Sequence, residues 1–206
     1  MVGADYKMSF EQVVKVPVER VGVIIGKGGT TRKDFEVALG IELQIDSKSG
    51  SVIIRAASLD KGDPFTAVRI VEAIARGFSP HRARKLLEED SALQIIDLRD
   101  FAGRSDKALE RIRGRVIGLK GKSRRVIEEL TECYLSVYGR TVSIIGGAAD
   151  IQLASEAVKM LASGSPHRTV YSVLQKARTK KKLERLFIWE ETSPEKIAAD
   201  IEKLRG

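Results

Sequence analysis

Two short glycine-bounded corners carry the residues of this sequence best suited to holding a polyanion. The first is Gly26-Lys27-Gly28-Gly29; the second, 92 positions later, is Gly118-Leu119-Lys120-Gly121. Another glycine, Gly22 or Gly114, stands four residues ahead of each corner, with aliphatic residues between, so that Ile25 and Ile117 lead directly into it. Basic side chains follow: Lys27, Arg32 and Lys33 in the first copy, Lys120, Lys122, Arg124 and Arg125 in the second. A glycine corner that opens a helix lets a phosphate come close to main-chain N–H groups, and the helix start adds favourable partial charge. One such corner says little. Its recurrence in the same local setting predicts two modules, each shaped to hold a phosphodiester backbone.

Other chemistries fit less well. Gly121-Lys122-Ser123 reads like the end of a nucleotide-binding P-loop, but the pattern needs a glycine five positions earlier, where Val116 stands. In the first copy Val21 occupies that place and Gly28 replaces the Ser/Thr after Lys27. His81 and His167 fall at matching positions of the two copies without ligand-spaced Cys or carboxylate neighbours, so a capping or packing role is expected for them. No nucleophile–base constellation or paired carboxylates stand out, and the expectation is a protein that is not an enzyme and holds no metal or cofactor. Cys133, the single cysteine, precludes an internal disulfide or a cysteine-based zinc cluster and is expected to be buried.

The elements that must position these corners follow from periodicity. Residues 10–17 alternate as a strand ended by Pro17; residues 19–25 suit one or two helical turns; Thr30 is placed to cap a helix running to Leu39, which Gly40 stops. Ile41, Leu43 and Ile45 alternate as a second strand, Lys48-Ser49-Gly50 turns, residues 52–54 return, and Pro64 opens a helix through Ile74 closed by Gly77. The second copy repeats this order: strand 93–98, helix 109–117, the corner, a helical stripe through Val126, Ile127 and Leu130, strands 135–138 and 142–145, and a helix 150–161 capped by Asp150. Ser79-Pro80-His81-Arg82 returns 86 positions later as Ser165-Pro166-His167-Arg168, each with a serine N-cap and a proline in the first turn. The first opens a linker helix over 80–89, whose Glu88-Glu89-Asp90 end is a solvated boundary. The floor beside each corner is aliphatic: Gly22, Ile25, Leu43 and Ile45, then Gly114, Ile117, Leu135 and Val137, with core and groove equally open for Leu43 and Leu135.

Bulk properties agree with two small modules. The 206 residues carry a formal charge of +8 with pI near 9.6, and 43% are hydrophobic. Asparagine is absent while Lys, Arg and Glu are abundant, a thermophile signature. Aromatic content is only 5%, which argues against stacking platforms as the main binding mode. No run resembles a signal peptide or a membrane span, giving the expectation of a cytoplasmic protein without membrane contact.

Val21-Gly22-Val23-Ile24-Ile25-Gly26-Lys27-Gly28-Gly29 and its counterpart resemble the signature of KH domains, whose loop clamps about four nucleotides of single-stranded RNA. With so short a segment ahead of the first strand, no helix is expected to come first, and a third helix follows the last strand. The implied fold is α+β, two type I (eukaryotic-type, βααββα) KH domains in tandem with a short helical C-terminal tail. The first domain with its linker helix is placed at residues 5–89, the second with an extra helix at 90–178, and a basic linker and helix at 179–206. Transferred to the KH pattern, the RNA-contacting set is Gly22, Ile25, Gly26, Lys27, Gly28, Gly29, Arg32, Lys33, Gly114, Ile117, Gly118, Leu119, Lys120, Gly121, Lys122, Arg124 and Arg125.

A narrower resemblance rests on Ile74-Ala75-Arg76-Gly77-Phe78, Leu86-Leu87-Glu88-Glu89-Asp90 and, most specifically, Gly164-Ser165-Pro166-His167-Arg168-Thr169-Val170-Tyr171. These are similar to archaeal members of the partner-of-Nob family of ribosome-assembly proteins. That resemblance implies binding of the 3′ end region of small-subunit rRNA precursor, with a Nob-type endonuclease and the alpha subunit of initiation factor two as protein partners. Eukaryotic members have largely lost the first GxxG, which is intact here. An adaptor role is the alternative, with RNA binding secondary: Phe187, Ile188 and Trp189 lie beside basic residues in the tail, where Trp and Arg suit protein contacts. Folding back of that segment on the second domain competes with this.

Overall fold

A computed structural model describes residues 10–59 and 62–191, with side chains described as far as residue 184. The first module runs β1 (Phe10–Lys15), α1 (Val18–Ile25), a 3-10 turn (Lys27–Gly29), α2 (Thr30–Leu39), β2 (Glu42–Asp46), β3 (Ser51–Ala56) and α3 (Pro64–Ala75). After α4 (Pro80–Ala83) and a second 3-10 turn (Arg84–Leu87), the order recurs: β4 (Ser91–Asp97), α5 (Arg99–Ala102), α6 (Asp106–Ile117), a 3-10 turn (Leu119–Gly121), α7 (Lys122–Thr131), β5 (Tyr134–Tyr138), β6 (Thr141–Gly147), α8 (Ala148–Ala162) and the long α9 (His167–Glu191). Each sheet is antiparallel with its last strand central, in orders β1-β3-β2 and β4-β6-β5. Two type I KH units therefore stand in tandem. The expected tail helix and the tail side chains Phe187, Ile188 and Trp189 lie outside the described residues.

The two sheets are buried differently. Along β3, Val52, Ile54 and Ala56 point into the first core while Ser51, Ile53 and Arg55 are half-exposed, the period-two pattern of a sheet covered on one face. Along β6, residues from Thr141 to Gly146 are all buried. The second face of that sheet is covered by the linker, whose Phe78, Ala83 and Leu86 belong to the first module's core. Ile145 of β6, at 0% exposure, belongs to the same cluster, and Leu93 and Tyr134 pack against it. The remaining apolar residues of the second module close a separate core on Val116, Ile127, Ile144 and Leu161, which Val170 and Leu174 of α9 extend.

Polar contacts hold the modules in one arrangement. The Ser136 hydroxyl donates to the Arg76 carbonyl at 2.8 Å, and Arg82 pairs with Glu128 at 2.7 Å while lying over the Tyr134 ring at 4.9 Å. Gly77, with φ +96°, sits where a Cβ would meet Ser136 Oγ at 2.7 Å and Tyr138 Cβ at 2.9 Å, so glycine is what allows β5 to cross the end of α3.

Four local expectations are corrected. Thr30 is not the cap of α2: Gly29 is, in the left-handed region that glycine adopts freely, and the Thr30 hydroxyl donates to the Lys27 carbonyl at 3.0 Å instead. Asp150 does not cap α8; Gly147 occupies that place, and Asp150 sits in the first turn bonded to Lys181 at 2.5 Å. The linker is not one helix to Glu89 but a single α-turn and a 3-10 turn, because Glu88 returns to extended backbone. The helix before the second corner begins at Asp106, capped by the Ser105 hydroxyl, which accepts from the Ala108 N–H at 3.2 Å; the one-turn α5 precedes it.

Candidate nucleic-acid interface

The two corners are nearly the same backbone object. Gly26 and Gly118 have φ/ψ of 73/177° and 72/172°; Gly28 and Lys120 have 63/22° and 50/31°; Gly29 and Gly121 have 77/11° and 77/13°. In each the first glycine ends the preceding helix, its N–H donating to Gly22 O at 2.9 Å or Gly114 O at 2.8 Å. It also packs under the next helix. A Cβ on Gly26 would lie 2.1 Å from Thr31 Oγ1, and one on Gly118 would lie 2.6 Å from Ser123 Cβ. The outward glycines behave oppositely: Gly22, Gly28, Gly29, Gly114 and Gly121 face open space within 4 Å. The inner glycine thus makes the turn, and the outer ones leave main chain bare for a close-approaching ligand.

The basic side chains divide by what they hold. Lys27, Lys33, Lys120 and Lys122 are exposed and have no protein partner among the described residues, leaving their charges available to phosphates. Leu119 projects at 83% exposure. Arg125 donates to the Lys120 carbonyl at 3.2 Å and braces the loop. Arg32 pairs with Glu36 at 2.9 Å, and the same Glu36 oxygen accepts the Leu43 N–H at 2.8 Å, tying α2 to β2. Glu128 accepts the Leu135 N–H in the same way at 2.8 Å, but its cation is Arg82 of the linker. Arg124, the counterpart of Arg32, is left with a buried Nε that has no partner among the described residues.

The aliphatic floor is narrower than its sequence pattern. Leu43 and Leu135 are each 1% exposed and belong to the cores, because both point to the helix-covered face of their strands. The half-buried Ile25, Ile45, Ile117 and Val137 are the residues a ligand can reach. Cys133 is buried as expected, and burial pushes its thiol pKa up to about 11, leaving a poor nucleophile.

Two arginines escaped the sequence reading. Arg20 donates from Nε to Ile74 O at 3.0 Å and from its terminal nitrogen to Phe78 O at 2.6 Å; Arg115 does the same to Leu161 O at 3.0 Å and Ser165 O at 2.6 Å. Each fastens the helix that leads into a corner to the carbonyl end of the module's last helix, where a cation is favoured. They sit one helical turn apart relative to their corners, so no shared spacing marks them. The histidines also part company: His81 is exposed, whereas His167 Nε2 meets the Arg115 carbonyl at 2.9 Å and its ring stands edge-on to Tyr171 at 6.0 Å.

Comparison with known proteins agrees with this geometry. A model of the Pno1 second KH domain, described as a eukaryotic type KH-domain (KH-domain type I), matches residues 92–179, and a general KH-domain model matches residues 11–65. The KH domain-containing protein MJ0443 of Methanocaldococcus jannaschii is 44% identical over 88% of this chain and 80% of its own length. The chain belongs to the Pno1-like family of two-KH-domain proteins. Within that family, the pre-rRNA-processing protein pno1 of Schizosaccharomyces pombe is 30% identical over 69% of this chain, which spans only 60% of the fungal protein's length. Among solved Pno1-like structures, the a/eIF2alpha-aDim2p-rRNA complex of Pyrococcus horikoshii matches with a TM-score of 0.79 and 42% identity, covering 85% of this chain and 97% of that one.

Proposed function

We propose that this protein is a non-enzymatic, cytoplasmic RNA-binding protein that holds single-stranded RNA from the 3′ end region of small-subunit rRNA precursor during ribosome biogenesis. The observation that carries this reading is the duplicated corner: two loops of matching dihedrals, each with bare glycine faces and unpaired lysines beside an aliphatic floor. Gly22, Gly26, Gly28, Gly29, Lys27 and Lys33 in the first module, and Gly114, Gly118, Leu119, Lys120, Gly121 and Lys122 in the second, are assigned to the backbone of the RNA. Ile25 and Ile117 are assigned to its bases. Arg32 and Arg125 stand behind the loops as supports. The processing role of the fungal relative and the rRNA in the archaeal complex support the choice of RNA. The alpha subunit of initiation factor two, present in that complex, is the favoured protein partner, and a Nob-type endonuclease is a further one.

Titration of labelled single-stranded RNA matching that 3′ end tests the reading. The double substitution Leu119→Asp, Lys120→Asp is expected to weaken binding tenfold or more, about 1.4 kcal/mol. The equivalent change at Lys27 and Gly28 reports whether the first corner is used. Affinity should fall as salt rises, with a log–log slope of roughly 0.7 per phosphate neutralised. Salt-independent affinity, or full binding by both doubly substituted proteins, would refute the assignment.

A further inference from the structure

Among the described residues, the second corner has a flank that the first lacks. Arg111, Arg115, Lys122, Ser123, His167 and Tyr171 line a cleft of about 520 Å³ on the side of α6 that faces α9. It shares Gly118, Leu119 and Lys122 with the RNA-facing loop but holds neither floor residue Ile117 nor Val137, so it is the α9-facing flank of the same groove. Every charged residue lining it is basic. Arg115 is spent on the carbonyls of Leu161 and Ser165, while Arg111 and Lys122 have no partner among the described residues.

Two groups in the cleft are set for a ligand. Ser123, in the first turn of the ten-residue α7, is 1% exposed, and its Oγ has no partner among the described residues. A buried hydroxyl is normally satisfied, and leaving one bare is costly. It lies at a helix start without a side-chain cap, where an anion is favoured. Opposite stands His167. A carbonyl can only accept, so the 2.9 Å contact with Arg115 O fixes the proton on Nε2 and leaves Nδ1 to meet a ligand. The neighbouring Tyr171 ring is half-buried beside it.

We propose that this cleft takes one nucleotide flanking the RNA segment held in the second KH groove, its base against Tyr171 and the His167 edge and its phosphate at Ser123, Lys122 and Arg111. Among the described residues the first module has no equivalent, because its matching Ser79-Pro80-His81-Arg82 segment forms only the short α4 and gives Arg82 to Glu128 across the module boundary. The inference rests on the RNA-binding reading and sharpens it: the second module reads one nucleotide more than the first.

Fluorescence anisotropy with a tetranucleotide and with the same RNA lengthened by two nucleotides at either end tests it. For the unaltered protein, lengthening at one end should tighten binding about tenfold, the scale of one aromatic–base stack. Tyr171→Ala should erase that gain without changing tetranucleotide affinity, and Tyr171→Phe should keep it. Ser123→Ala offers a second measure: removing an unpartnered hydroxyl should leave thermal stability equal or higher, yet weaken the longer RNA several-fold. Equal affinity for both lengths, or a gain that survives Tyr171→Ala and Ser123→Ala, overturns the subsite while leaving the groove intact. Failure of every RNA to bind overturns the underlying reading instead.

Discussion

Lys120 holds the left-handed backbone that Gly28 holds in the first corner, with φ/ψ of 50/31° against 63/22°. A side chain in that region carries a steric cost that glycine does not. The second corner thus keeps a lysine where the first accepts a relaxed glycine, a trade of stability for a positive charge at the point where RNA would pass. Lys120→Gly should raise unfolding free energy by up to about 1 kcal/mol while weakening RNA binding. Denaturant titration and anisotropy on the same sample check both halves; a loss of stability would show that Lys120 is unstrained.

The inner and outer glycines should separate folding from binding. Gly118→Ala drives a Cβ against the Ser123 backbone nitrogen at 2.7 Å, at a φ/ψ of 72/172° that is nearly restricted to glycine. A loss of about 2–4 kcal/mol is expected there. Gly121→Ala meets nothing within 4 Å and bears only its positive φ, so about 1 kcal/mol is expected. Its methyl group, however, stands on the bare face and should abolish RNA binding. Thermal melts and RNA titrations of the two variants should give opposite rankings.

The Tyr138 hydroxyl, in the second module, donates to the Glu19 carboxylate of the first at 2.5 Å, and Arg20 lies 6.0 Å from the same ring. This bond holds the Glu19 carboxyl below its ordinary 4.5 and, with some desolvation, lifts the Tyr138 phenol above its ordinary 10.0. A depressed carboxyl stabilises the fold above its unfolded pKa and loses that contribution as pH falls through the folded value. A raised phenol stabilises it below its unfolded pKa and loses that contribution as pH rises through the folded value. The contribution is therefore whole between about pH 4.5 and 10 and fades beyond both ends. Stability curves of the parent and Tyr138→Phe should differ inside that window and converge outside it; parallel curves throughout would refute the bond.

Ile145 belongs to β6 yet is buried in the first module's core. Ile145→Ala should cost about 2–5 kcal/mol and should lower the stability of both modules together. Calorimetry should show a single transition in the parent protein; two separated transitions would contradict a shared core.

The corners were legible because three glycines in four residues of the first leave the chain few conformations and the second repeats its setting, and the strands because Val14 and Val16 flank Lys15 and Leu43 lies between Glu42 and Gln44. Leu43 and Leu135 were not assignable to core or groove, since strand periodicity distinguishes two faces without saying which one a ligand meets. The α5 turn escaped notice because residues 99–105 lack an apolar period; it is held locally, with Asp97 Oδ1 accepting the Arg99 N–H at 2.9 Å. Nor does spacing reveal Arg20 and Arg115, whose shared task is done from different turns of their helices. The near-continuous apolar run 142–147 did carry a signal of double-sided burial, but only the path of the linker shows what covers the second face.

That covering dictates how the molecule can be cut. A fragment beginning at residue 90 would lose Phe78, Ala83 and Leu86 and bare an oily sheet to water, and the other half would forfeit Ile145. Neither piece is a self-sufficient building block. Laboratory work on the second RNA corner alone would have to carry the strap from residue 78 onward, or contend with aggregation that says nothing about RNA.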